Sequence, residues 1–521
     1  MNPVKLAKEL YDAVIIGSGF GGSMVAHKLV IAGKKVLMLE KGNWVSRGPH
    51  NWAENASVDL TPFYTMESPY RVLVGGNKKI MGAYSCVGGP SVFYGGVSFR
   101  FREKDFETPS EIVGDSEAEW PFDYNELESY YNEAEKLLNV AGEAGSDPTE
   151  PYRNEPYPQP PSSLSEISKK IRIAGEALGL QPFPMPLAIN YSDNGSPECI
   201  KCTTCDTFAC AVSAKNDLAT VILPKLIEKG LTLLPNTITT KLNVKNNRIE
   251  SVECFSKKEN ESVSFQAKKV IISAGALGSP HLLLSSGLDE YNPGGKNVGH
   301  FLMRHINAIV FGVFPSKADK EDTFHKQLCF HDFYFGHPTI TNPTGKLGCI
   351  QQLQTPPVGL VKDQLPKPLG SILSPAVKLL TGLLTMGEDQ PQFQNYVTID
   401  SKTTDRFGLP QLTVTHHYSN RDYEVGRVLN KKAKQILHKA GAWFFYTHHI
   451  RTFSHAVGTV RMGNDSKKSV LDKFCNFRGI DNLFVVDGSF MPTSAGLNPS
   501  LTIAANALRV GDFVVKNLGT L

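Results

Sequence analysis

Two residues near the C-terminal end of the chain, His455 and Asn498, carry side chains suited to acid–base chemistry on a hydroxyl. His455 lies in S-H-A-V-G-T-V-R-M-G and Asn498 in S-A-G-L-N-P-S-L-T. Each follows a short irregular stretch and precedes a turn containing Gly or Pro, where a scaffold presents side chains to a ligand. A histidine near its unperturbed pKa takes a proton from an alcohol, and an asparagine amide can hold the same oxygen in place. The bland alternatives are a satisfied structural histidine and a turn asparagine ahead of Pro499.

The clearest signal upstream lies in residues 12–40. D-A-V-I-I is a β-branched run suited to a buried parallel strand. It enters Gly17-x-Gly19-x-x-Gly22, then an apolar helix, then K-V-L-M-L as a second strand that ends at Glu40. The first glycine permits the tight turn, the second a close approach to a pyrophosphate, and the third close packing of helix on strand. The helix N-terminus offers N–H groups to phosphates, and Glu40 falls where a carboxylate meets a ribose hydroxyl. A lone G-x-G-x-x-G is weak. Strand, glycines, helix, strand and acid in that order predict dinucleotide binding.

A second glycine-rich strip runs through residues 82–102 and includes Gly88, Gly89, Ser91, Gly95 and Gly96. That density suits a backbone pressed against a planar ligand, the alternative being a Gly-rich hairpin. Residues 120–138 have helical apolar spacing, with Asp123 or Asn125 as cap. The stretch 143–165, rich in Pro, Glu and Ser, reads as a surface excursion into a second unit. Then come Cys199, Cys202, Cys205 and Cys210, four thiols in a short span. They could hold an iron–sulfur cluster or zinc, form a redox disulfide, or belong to a reduced structural loop.

From Lys215 a helix and two strands lead into K-K-V-I-I-S-A-G-A-L-G-S-P. This is a second strand–Gly–helix unit, with Ala274 and Gly275 at the turn and a helix opening at Ser279-Pro280. His300 and His305 follow without metal spacing and read as loop or structural residues. Residues 306–450 alternate in I-N-A-I-V-F-G-V-F, N-Y-V-T-I-D and L-T-V-T-H-H, which predicts one sheet separate from the first. Between them residues 356–385 are apolar and Pro-broken. They could form a lid, a docking segment, a lipid-touching patch or a buried core piece.

The bulk numbers set limits. At 521 residues the chain is long enough for two to three structural units. Fifty-four basic against fifty-one acidic residues give a charge of +3, with no sign of a nucleic-acid partner. No apolar run is long enough for a spanning helix. The first residues lack an export signal, so a cytoplasmic location is expected, and the nine cysteines are not expected to form structural disulfides.

The motifs taken together resemble the glucose–methanol–choline (GMC) family of flavoprotein oxidoreductases over nearly the whole chain. The resemblance rests on Gly17–Gly22 with Glu40 and on G-G-P-S-V-F-Y-G-G. It continues in W-P-F-D-Y-N-E-L-E-S-Y-Y, G-A-L-G-S-P-H-L-L-L-S-S-G-L and V-G-H-F-L-M-R-H. It ends in H-A-V-G-T-V-R-M-G and the closing D-G-S…N-P-S-L-T-I-A-A-N-A-L-R. It implies an α/β fold: a discontinuous Rossmann-like FAD domain and an α+β substrate domain with an antiparallel sheet. The expected division is FAD-domain segments 1–142, 215–304 and 451–521, a Cys-rich excursion 143–214, and a substrate domain 305–450. The resemblance also implies FAD held without a covalent bond, contacts from Asp487, Gly488 and Pro499, and His455 with Asn498 as the catalytic pair. The expected reaction is oxidation of a sugar, polyol or cyclitol-like alcohol, with oxygen or an electron-transfer partner as acceptor. Lipophilic alcohols, or flavin use without net oxidation, are the alternatives. Phe93 and Tyr94 stand where many relatives carry Asn or His beside the flavin. The cysteine run is similar to stretches in bacterial sugar dehydrogenase subunits that hold an iron–sulfur cluster, with different spacing.

Overall fold

The computed structural model describes residues 3–518 apart from 60, 62, 63, 65, 68, 75, 76, 193, 194 and 360–373. The run Ala13–Ile16 is buried on both faces, as its unbroken apolar character requires, and forms the centre of a seven-stranded sheet. Strand Leu10–Ile16 pairs in parallel with Val36–Leu39 on one side and with the second half of Glu261–Ile272 on the other. Thr232–Leu234 and Leu483–Val485 extend the parallel part. Arg248–Ser256 and Thr237–Lys245 add an antiparallel flank on the first half of Glu261–Ile272. Helix Ser500–Lys516 packs on helix Phe20–Ile31 so closely that a Cβ at Gly511 would stand 2.8 Å from Lys28 Cβ.

This topology gathers the motifs. Ile16 and Ile272 are register partners, and so are Ile272 and Val485, so three adjacent parallel strands end at one edge. Gly17, Ala274 and Asp487 lie in the turns just past them. Ligands of open α/β sheets bind at that carboxyl edge.

A second, six-stranded antiparallel sheet runs in the order Phe444–His449, Ile306–Val313, Leu380–Gly387, Gly348–Leu353, Leu328–Phe330 and Phe183–Pro184. Helix Asn420–Lys439, opened by a capping box at Ser419 and Asp422, covers it through Val425, Leu429 and Ile436. The expected α/β fold with an antiparallel second region is present.

Two local expectations need correction, and two others are filled in. The one sheet expected over 306–450 is two. Tyr396–Thr404 and Pro410–Thr415 form a four-stranded sheet with Tyr70–Val74 and Asn77–Met81, because Pro410–Thr415 takes Tyr70–Val74 as a parallel partner. The helix expected from Ser279-Pro280 starts at Gly275 and holds Pro280 inside it. The carbonyl that Pro280 leaves without its helical donor, that of Ala276, accepts instead from Thr459 Oγ1 at 2.6 Å. The excursion 143–165 runs over the surface but turns Asp147 and Gln159 inward, where charge and hydrogen bonds receive them. Of the apolar segment 356–385, residues 360–373 lie outside the described residues, and its end, Leu380–Gly387, is a buried strand.

Candidate active site

The three glycines of the first turn divide as their roles demand. Gly17 has φ +100°, and a Cβ there would overlap the Ser273 carbonyl oxygen of the neighbouring strand's turn. A Cβ at Gly22 would overlap the Gly17 carbonyl oxygen. At Gly19 it would meet nothing within 4 Å. Only the middle glycine opens onto free space, at the uncapped N-terminus of helix Phe20–Ile31. That is the surface a pyrophosphate needs.

Glu40 is buried and anchors this turn. Its carboxylate accepts from Ser18 Oγ at 2.6 Å, Ser18 N at 3.1 Å and Gly42 N at 2.8 Å. Burial raises its pKa, and the bonds from Gly42 and Ser18 oppose that rise. Ser18 Oγ also accepts from Gly88 N at 2.9 Å, and a Cβ on Gly89 would stand 3.3 Å from Gly19 Cα. The two glycine-rich stretches, distant in sequence, therefore face each other. Ser91 is occupied within the protein, donating to Gly88 O at 2.7 Å and accepting from Leu218 N at 3.2 Å. Gly95 and Gly96 lie at the far end of the strip, where a Cβ on Gly95 would run into the Lys326–Asp206 ion pair.

On the third strand end, Asp487 accepts from Gly275 N at 3.1 Å, Ser489 N at 2.9 Å and Ser279 Oγ. Ala274 N donates to Ser279 Oγ at 3.1 Å. These bonds hold two turns together, and burial pushes the Asp487 pKa up. The Gly488 carbonyl accepts from Gly458 N at 3.1 Å, which ties this turn to the loop bearing His455. Pro499 caps helix Ser500–Lys516 immediately after Asn498.

His455 is partly buried, and its Nδ1 lies 3.3 Å from Nδ1 of His305. His305 Nε2 lies 3.1 Å from the Ser494 carbonyl oxygen. A carbonyl only accepts, so His305 carries its proton on Nε2 and offers a bare Nδ1 when neutral. His455 then donates Nδ1–H to it, which leaves Nε2 of His455 with a lone pair. Burial, followed by the charges of His305 and Lys326, pushes the His455 pKa down to about 3. The ring is a neutral proton acceptor at physiological pH. Asn498 Oδ1 accepts from Gln351 Nε2 at 2.7 Å, so its NH₂ group is the end left to donate elsewhere.

The cysteine loop lies against the second glycine strip. Thr207 N donates to Phe93 O at 2.9 Å, and Lys215 Nζ donates to Tyr94 O at 2.7 Å and Cys205 O at 3.0 Å. All nine cysteines are free. Among the described residues, the only group of three or more His, Cys, Asp or Glu side chains close enough for one ion is Cys329, His331 and Cys349.

Comparison with known proteins decides the family. The N-terminal GMC oxidoreductase family model matches residues 11–307 and the C-terminal one residues 391–507. The chain is a GMC oxidoreductase. It is 31% identical to paromamine 6'-oxidase of Streptomyces fradiae, over 98% of this chain and 92% of that protein. It is 27% identical to the fructose dehydrogenase large subunit of Gluconobacter japonicus, over 97% of this chain and 98% of that one. The crystal structure of pyridoxine 4-oxidase from Mesorbium loti shares the fold, with a TM-score of 0.68 at 20% identity, covering 96% of this chain and 99% of that one.

In this GMC oxidoreductase, sequence reasoning missed His305, Lys326 and Gln351 around the candidate pair. One signal was available for two of them: Lys326 and Gln351 are polar side chains in or beside short apolar strand runs, where burial demands a partner. His300, read as structural, does stack on Phe393, with ring centroids 3.9 Å apart. Among the described residues, no helix is long and apolar enough to cross a membrane.

Proposed function

We propose that the protein binds FAD non-covalently and oxidises a CH–OH group of a sugar, polyol or cyclitol-like alcohol to a carbonyl. The observation that carries this reading is the His305–His455 contact at 3.3 Å, which leaves His455 Nε2 free to accept the hydroxyl proton. The amide of Asn498, oriented by Gln351, donates to the same oxygen. Removing the O–H proton raises the tendency of the adjacent carbon to release hydride. When bound, FAD supplies the hydride acceptor at flavin N5.

The residues present fit FAD. Gly19 and the helix it opens would meet the pyrophosphate, and Glu40 a ribose hydroxyl. The strip from Gly88 to Gly96 and the turn at Ala274, Gly275 and Gly488 would line the rest. Support for a polar substrate comes from Lys326, whose charge reaches His455, and its partner Asp206. The names of the paromamine and fructose relatives point the same way. The test is anaerobic bleaching of the purified protein's yellow spectrum by a panel of sugars, polyols and long-chain alcohols. Bleaching by long-chain alcohols alone would reject the polar-substrate reading.

A second reading concerns where the electrons go. The loop of Cys199, Cys202, Cys205 and Cys210 touches the glycine strip directly, which favours an iron–sulfur cluster there as a relay to an electron-transfer partner rather than direct reaction with oxygen. Iron and acid-labile sulfide near zero in freshly purified protein would return the choice to oxygen.

A further inference from the structure

Cys329 and His331 are two residues apart, and Cys349 and Gln351 are two apart on the antiparallel neighbour strand. The register Cys329↔Gln351 and Phe330↔Ile350 places Cys329, Cys349 and Gln351 on one face of this ribbon, because side chains alternate across a strand. His331 joins them. The donor atoms of Cys329, His331 and Cys349 lie within 4.8 Å of one another, and all three residues are fully buried.

Two further observations point to a ligand at this spot. His331 Nδ1 lies 2.8 Å from Asp147 Oδ2 and 2.7 Å from Arg102 Nη2, while its other ring nitrogen is buried without a well-formed hydrogen bond and the ring neighbours the Cys349 thiol. Gln351 Oε1 is also buried without one, although its Nε2 reaches Cys349 Sγ at 3.2 Å. Unmade hydrogen bonds in a core are costly.

We propose that Cys329, His331 and Cys349 bind a single thiophilic divalent cation of the zinc class, at a site separate from the Cys199–Cys210 loop. Two thiolates and an imidazole are the donor set that such an ion selects over calcium or magnesium. Asp147 and Arg102 both reach the far nitrogen of His331, and a carboxylate there is the kind of outer partner that accompanies a metal-binding imidazole. Charge also balances. A dication with two thiolates is neutral, and Asp147 is itself paired with Arg102, so the filled site leaves no net charge in the core.

The ion is a structural brace for the hydroxyl site. The ribbon it pins carries Gln351, which holds Asn498 Oδ1 at 2.7 Å. The same ribbon packs on the loop before Asn498, where a Cβ on Gly496 would stand 2.5 Å from Gly348 Cα.

The test is metal content, a readout independent of turnover. Full-length protein purified without a metal-affinity tag is assayed for zinc by mass spectrometry, then stripped and titrated with cobalt(II) alone. The expected result is one equivalent of ion per chain and a thiolate-to-cobalt charge-transfer band of tetrahedral type. Both persist when Cys199, Cys202, Cys205 and Cys210 are all changed to Ser, and both are lost in Cys329→Ser/Cys349→Ser. Cys349→His, which keeps a ligand, retains the ion with a weaker charge-transfer band, so the proposal is testable if the double variant fails to fold. A zinc- and cobalt-free wild type, a band that disappears only with the loop cysteines, or a Cys329–Cys349 disulfide in peptide mapping would each overturn it.

Discussion

On the proposed nucleotide side, the first turn takes a conformation that its own few residues dictate. Gly17, Gly19 and Gly22 lie within six positions, and their strand and helix follow directly. On the proposed hydroxyl side, His305 meets His455 and Gln351 meets Asn498 across long stretches of chain, and only sheet register and loop packing make these contacts. The first wall is a shape, and changes there act through steric fit. The second is a set of proton positions held by hydrogen bonds, and changes there act on chemistry with the fold intact.

The sharpest break between the walls is His455→Ala. Loss of the proton acceptor is expected to slow flavin reduction by about 10²–10⁴ in anaerobic stopped-flow while FAD stays bound at wild-type stoichiometry. Reduction at the wild-type rate would remove His455 from the mechanism. His305→Ala is expected to cost about 10²-fold, since it frees the ring of His455 to place its proton on the wrong nitrogen. It also removes a neighbour that helps lower the His455 pKa, so the acid limb of kcat/KM should move to higher pH. A rate loss without that movement would make His305 merely structural.

The glycines test the other wall. Gly17→Ala forces a side chain onto a carbonyl at φ +100°, with an expected loss of about 1–3 kcal/mol in apoprotein stability, read as a lower Tm. Gly19→Ala has room in the protein and should keep the Tm while weakening FAD binding. If both changes act alike on Tm and on FAD affinity, the division of roles fails. A last effect is on pH dependence. The folded pKa of His455 is about 3 against an ordinary value of 6.5. The unfolded chain therefore binds the extra proton first, and stability drains away as pH falls from about 6.5 towards 3. His455→Asn should flatten that part of a stability-versus-pH curve measured by urea denaturation.

How much of this was legible in advance follows the same line. The first glycine turn, the strands on either side of it and Glu40 at the end of the second were readable because backbone freedom and hydrophobic period are local properties. The onset of helix Gly275–Ser285 was misplaced, because Thr459, far along the chain, satisfies the carbonyl that Pro280 orphans. His305 was read as a loop or structural residue for want of metal spacing, and its contact with His455, far along the chain, is announced by nothing near either residue in sequence. The crowded cysteines at 199–210 drew attention by spacing. Cys329, His331 and Cys349 have no such spacing and converge only through strand register.

By itself, then, the sequence determined the α/β class, the glycine turn after the first strand and the place of His455 and Asn498 on irregular segments near the end of the chain. Tertiary structure alone decided which nitrogen of His455 is bare, which end of the Asn498 amide is free, and which thiols meet. The physical reason is range. Turns and strand faces are set by torsions and period within a few residues, whereas a proton's place on a ring is set by whatever distant group the fold brings within hydrogen-bonding distance.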